Sequence, residues 1–140
     1  MAQMRVEVVS TEREIFSGEA EFLVAPGQEG EIGVYPRHVP LLTRIMPGVL
    51  RMKVPGQSEE VLVAVSGGMI EIQPTHITVL ADTAVRWEDL DEARANEAKR
   101  AAEDALRHSA DDLATAKAHA ALAMAIAELK ALDYLKRRPH

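Results

Sequence analysis

All eight glycines and six of the seven prolines of this 140-residue chain precede Thr75, and neither residue recurs until Pro139. Alanine does the reverse: sixteen fall between Asp91 and Leu132, against six in the first 88 residues. Gly and Pro punctuate turns, whereas Ala is the strongest helix former. The chain therefore reads as a β-rich module, residues 1–87, followed by an unbroken helical module, residues 88–140.

Composition narrows what these modules can do. Aromatics make up 4% of the chain, so any core is built from Val, Ile, Leu and Met. The absence of cysteine removes disulfides, thiolate nucleophiles and Cys-based zinc sites. The histidines (38, 76, 108, 119 and 140) lack the spacing of the usual metal motifs, so no metal is expected. Net charge is −6, without the basic stripe that phosphate-backbone binding needs, and nucleic acid is not expected as a partner. No apolar run approaches membrane-spanning length and no signal peptide precedes the first strand, so direct membrane insertion is not expected either.

Residues 4–10 alternate as a half-buried strand does. Further β-like runs follow at 14–17, 20–25, 30–35, 39–45, 49–54, 60–66, 69–73 and 76–81, separated by Gly and Pro turn signals. Short strands at this spacing predict an antiparallel β-sandwich or flattened barrel. Ser66-Gly67-Gly68-Met69 lacks the lysine and following helix of a phosphate loop, and is read as a two-glycine hairpin. Glu29 and Glu31 place two carboxylates on a flexible loop with no apolar pocket to shift them, which favours a solvated or docking surface over acid–base chemistry.

Asp89, with Glu92 three residues on, carries a capping-box signature. Along the helix that follows, Ala98, Ala101, Ala102, Ala105 and Ser109 form one small-residue stripe. Ser109 and Asp112 repeat the capping pattern, and a second helix is predicted from near Ala110 to about Leu135, giving an antiparallel two-helix hairpin. At 100° per residue this helix has two apolar faces. One carries Leu113, Ala116, Ala120, Ala123, Ala127 and Ala131; the other carries Leu122, Ile126 and Leu129. The alanine face suits close approach to the first helix, leaving the Leu/Ile face for the β-module or for another protein. A buried Ala methyl contributes about 0.8 kcal/mol, while ordering a residue's backbone costs about 1–2 kcal/mol. Such a contact barely offsets its own ordering. The turn at 107–110 contains no helix breaker. These features describe either a bistable element set by partners or ligands, or a static hairpin docked on the sheet.

Several segments together resemble the ε-subunit family of bacterial F-type ATP synthases. They are Val9-Ser10, Ile15-Phe16-Ser17-Gly18, Gly30-Glu31-Ile32-Gly33-Val34-Tyr35-Pro36, His38, Pro40-Leu41-Leu42-Thr43, Ser66-Gly67-Gly68, Glu71-Ile72-Gln73-Pro74, residues 78–84 and Leu90-Asp91-Glu92-Ala93-Arg94-Ala95. The resemblance runs along nearly the whole chain. It implies a non-catalytic rotor subunit of the central stalk, peripheral on the cytoplasmic face of the bacterial inner membrane. Its partners would be the γ subunit and the c-ring, and the catalytic α/β head when the hairpin extends and inhibits ATP hydrolysis.

By the same resemblance, Glu29, Glu31, Tyr35 and His38 look like the region facing γ and the c-ring. Tyr35 and His38 equally suit closing the bottom of the sandwich. Leu90, Asp91, Arg94 and Ala95 match the family's ATP-binding motif, while Asp91 and Arg94 alone also suit an i,i+3 ion pair. Val85 stands where stronger binders carry an acid, and Ala101, Met124 and Glu128 stand near where they carry arginines. The expectation is weak regulatory ATP and no required cofactor. Two other readings are a nucleotide hydrolase, unsupported by any nucleophile–base pair, and a sandwich-plus-helix adaptor outside the ATP synthase.

Overall fold

The computed structural model describes residues 2–138. Ten strands come first: β1 (Met4–Ser10), β2 (Glu14–Ala20), β3 (Phe22–Gly27), β4 (Gly30–Val34), β5 (Leu41–Ile45), β6 (Gly48–Lys53), β7 (Val61–Val65), β8 (Gly68–Ile72), β9 (His76–Ala81) and β10 (Ala84–Arg86). A single 3-10 turn (Trp87–Asp89) leads into α1 (Glu92–Arg107) and α2 (Asp112–Lys136). The strands form one sheet in the order β10-β7-β6-β3-β5-β8-β9-β1-β2, with β4 paired to β3. It doubles over at β3 and β5, which share a single residue pair, Gly27 with Ile45. Its two edges, β2 and β10, approach one another. The expected sandwich is thus a nearly closed, flattened barrel. Its pairs are antiparallel apart from β1 and β9, which no short turn joins and which run parallel.

Alternation along the strands fills this barrel. Val6, Val8, Leu23, Leu50, Met52, Val63, Ile70, Ile72, Ile77 and Val79 join one aliphatic core, and among the described residues no polar side chain is buried. Strand β7 is buried at all five positions. Val61, Val63 and Val65 face this core, while Leu62 and Ala64 face outward against α2.

Two turn signals behave differently from expectation. Gly18 lies inside β2, paired with Val6, because the Phe16 ring occupies the space beside it. Gly67-Gly68 is no hairpin, since β7 and β8 are not paired. It carries the chain from one layer to the other, and a Cβ on Gly68 would lie 2.1 Å from the Leu80 carbonyl oxygen. The dipeptide pattern gives the turn but not which strands it joins.

The caps also shift. Asp91, not Asp89, caps α1, its Oδ1 accepting the Arg94 N–H at 3.0 Å. Asp111, not Ser109, caps α2 by accepting the Ala114 N–H at 2.7 Å. Ser109 Oγ instead donates to the Leu106 carbonyl and accepts from Thr115. On α1 the buried stripe is Ala95 and Ala102 with half-buried Leu106 and Ser109, leaving Ala98, Ala101 and Ala105 exposed. Covering Leu106 removes more apolar area from water than covering a methyl does, and this sets the helix's rotation.

The two faces of α2 are present, with their partners exchanged. Ala127 and Ala131 lie on the sheet against Val49, Leu62 and Ala64, joined by half-buried Trp87, Leu90, Met124, Tyr134 and Leu135. Ala118 and Ala125 are buried on the opposite side, where α1 packs, with Leu122 and Leu129 half-buried beside them. Alanine lets the helix settle close to a smooth sheet face. The helix has 25 residues, about 37 Å, whereas the strands beneath it span about 17–20 Å. Its first half therefore projects past the sheet, leaving Leu113 66% exposed, while Ile126, in the second half, points away from both neighbours and is 48% exposed.

Candidate functional site

The rim residues divide between the two ends of β4. Glu29 sits at the tip of the β3–β4 hairpin, and Glu31, opposite Pro26, reaches Arg51 at 3.4 Å. Tyr35 follows the other end of β4, its ring tilted 34° against Phe22 with centroids 4.4 Å apart. A strand of five residues, about 17 Å, separates them, so these four residues do not form one cluster. In the next loop Arg37 takes φ of 70° and donates its N–H to the Pro74 carbonyl at 2.7 Å. His38 turns its Nδ1 to the Val39 carbonyl at 2.7 Å.

The charges drew attention to this rim, but its apolar content is larger. Tyr35, Val39 and Leu42 are each more than 60% exposed, and Leu41 and Met46 are also open to solvent. Of these, Val39, Leu41 and Leu42 are close in the chain, and exposed aliphatics of this kind suit a docking surface. The sequence did carry a signal: Leu41 and Leu42 are adjacent, so no alternating strand could bury both.

In the 90–95 motif, packing and capping use most of the residues. Leu90 joins the helix–sheet cluster, Ala95 is buried under α2, and the Asp91 carboxylate caps the helix. Among the described residues no ion pair joins Asp91 to Arg94; their i,i+3 relation is the backbone cap. The Arg94 guanidinium on α1 acts electrostatically on Glu128 of α2. Burial pushes the Glu128 carboxyl above its ordinary range, and the Arg94 guanidinium draws it partly back. Arg94 can hold a phosphate, but Glu128 sets a competing anion beside it. Val85 is a half-buried residue of β10. Among the described residues no group of three His, Asp or Glu converges as a metal site requires, and no helix is long and apolar enough to cross a membrane.

The C-terminal end of α2 holds a set of contacts the sequence reading missed. Arg138 pairs with Glu59 at 2.8 Å, donates to the Glu60 carbonyl, and lies 5.8 Å from the Trp87 ring centroid. Arg51, from the sheet, lies 5.2 Å from the Tyr134 centroid and pairs with Glu60 at 3.7 Å. Lys136 reaches Glu92 at 2.9 Å. Lys136 and Arg138 thus tie the end of α2 to α1 and to the β6–β7 loop, while Arg137 pairs with Asp133 of its own helix.

A flattened barrel bearing a helical hairpin on its outer face is the class of protein these elements define. The profile described as "ATP synthase, Delta/Epsilon chain, beta-sandwich domain" matches residues 3–87, and that of the "long alpha-helix domain" matches residues 88–133. Proteins named ATP synthase epsilon chain are similar throughout. The one from Chromobacterium violaceum is 81% identical and that from Laribacter hongkongensis 69%, each covering 100% of both chains. One from Neisseria meningitidis is 57% identical over 97% of both. A chain in the mitochondrial ATP synthase of Euglena gracilis shares the fold at 21% identity, with a TM-score of 0.77 over 94% of this chain and 82% of its own. The chain belongs to the ATP synthase delta/epsilon chain family, and it is of the epsilon type.

Proposed function

We propose that this chain is a non-catalytic subunit of the rotating central stalk in a proton-translocating ATP synthase. It lies peripherally on the cytoplasmic face of the bacterial inner membrane. The sandwich binds the γ subunit and the c-ring through its rim, with Glu29 and Glu31 at one contact and Tyr35 and His38 at the other. The hairpin swings out along γ toward the α/β head and hinders ATP hydrolysis.

One observation carries the hinge: among the described residues, the apolar seam between the hairpin and the sandwich lies on the second half of α2. On the helix side, the fully covered residues of that seam are Ala127 and Ala131. The full-length likeness to proteins named ATP synthase epsilon chain supports the assembly. Exposed Val39 and Leu42 support docking at the rim, where the carboxylates would add orientation more than affinity.

Truncation after Glu88 in the purified complex tests both parts. Co-purification with γ and the c-ring should persist and ATPase activity should rise severalfold. Unchanged hydrolysis would reject the brake, and loss of co-purification would reject the sandwich as the stalk-binding part. For regulatory ATP, Arg94 supplies a phosphate contact and Glu128 weakens it. Titration with MgATP should show weak binding that tightens in Glu128→Gln; micromolar saturation of the unaltered chain would contradict this.

A further inference from the structure

We propose that Arg138 and Arg51 form a reciprocal charge latch that sets the resting position of the hairpin. Each guanidinium crosses the seam from its own side and lies over an aromatic ring on the other. Arg138 leaves the end of α2 to lie over Trp87, with Glu59 at 2.8 Å and the Glu60 carbonyl as acceptors. Arg51 leaves β6 to lie over Tyr134 of α2 and pairs with Glu31 at 3.4 Å and Glu60 at 3.7 Å. Glu60 serves both: its carboxylate holds Arg51 and its backbone carbonyl holds Arg138.

Burial separates these contacts from ordinary surface pairs. The Arg138 side chain is 16% exposed and that of Arg51 23%, whereas Arg100, Arg107 and Arg137 in within-helix pairs are 69–76% exposed. Exposed pairs contribute little; here the carboxylates are themselves 38–54% exposed, so the covered guanidinium groups gain chiefly from the rings they lie over and from the Glu60 carbonyl. The latch also sits where it has most leverage. The first half of α2 has no sheet beneath it, so once the C-terminal contacts release, only the apolar seam from Met124 to Leu135 still holds the hairpin. This rests on the hinge reading above and deepens it, naming the contacts that regulate the swing.

The full-length isolated chain tests the latch without the rest of the complex. Trp87 is the single tryptophan, so its emission reports the hairpin's departure beside amide exchange. Arg138→Ala should speed α2 exchange about three- to tenfold and shift Trp87 emission to the red, leaving exchange in β1, β8 and β9 unchanged. Arg137→Ala, whose partner Asp133 lies on the same helix, should change neither readout. The charge exchange Glu59→Arg with Arg138→Glu should regain protection relative to either single change. Exchange in Arg138→Ala within twofold of the unaltered chain would overturn the latch. So would equal opening in Arg137→Ala, or a double variant no better protected than its singles. If Arg138→Ala opens the isolated chain but leaves hydrolysis by the complex unchanged, the latch stands and the brake falls.

Discussion

Gly68 shows how one residue can fix the path of the whole sandwich. Its φ is +145°, and a Cβ would overlap the Leu80 carbonyl oxygen. Gly68→Ala should therefore cost about 3 kcal/mol or more, from backbone strain and displacement of β9, read as a lowered urea midpoint. Glu128 carries a pH dependence of definite sign. Its carboxyl binds a proton more tightly in the folded chain than its ordinary value of 4.5, because burial outweighs the help of Arg94. Folding is thus favoured most below that value, and the contribution is lost as pH rises through the raised pKa. Glu128→Gln should flatten this slope and leave the hairpin better protected near neutrality, as amide exchange at pH 5 and 7.5 would show. An unchanged slope would place the titration elsewhere. The Asp91–Arg94 spacing was legible, but its meaning was not: a helix cap and a ligand pair use the same residues at the same interval.

At the scale of elements, the turn between α1 and α2 is set by polar side chains. Asp111 is extended and caps α2 only while the chain bends there. In one continuous rod that cap would have no function. Asp111→Ala should therefore weaken the bent hairpin by about 1 kcal/mol, increasing exchange in α2 while helical circular dichroism holds or rises. Loss of helical signal would mean that the cap stabilises the helix in both forms. Strand positions were mostly readable because alternation reports burial directly. The docking face was readable too, though the pattern was passed over. Val61-Leu62-Val63-Ala64-Val65 does not alternate, and a continuous apolar run is how a strand covered on both faces reads. Which face of α2 would meet it was not legible. Both faces are apolar, and the choice depends on how closely alanine lets the helix approach Val49 and Leu62.

Across the whole molecule, two kinds of packing meet. The sandwich interlocks fully buried Val, Ile, Leu and Met, while the hairpin rests on alanines, half-buried aromatics and a few charged contacts. Large aliphatic side chains each contribute about 1.5–3 kcal/mol on burial, several times an alanine methyl, so the two parts should differ widely in opening free energy. Chain composition announced this division through the opposite distributions of glycine and alanine. It could not announce the Arg138 contacts, whose partners in the β6–β7 loop lie nearly eighty positions away. Native-state hydrogen exchange on the isolated full-length chain tests the division most directly. The account predicts that α1 and α2 exchange through a sub-global opening that leaves β1, β8 and β9 protected. Helices that exchange only when those strands do would contradict it.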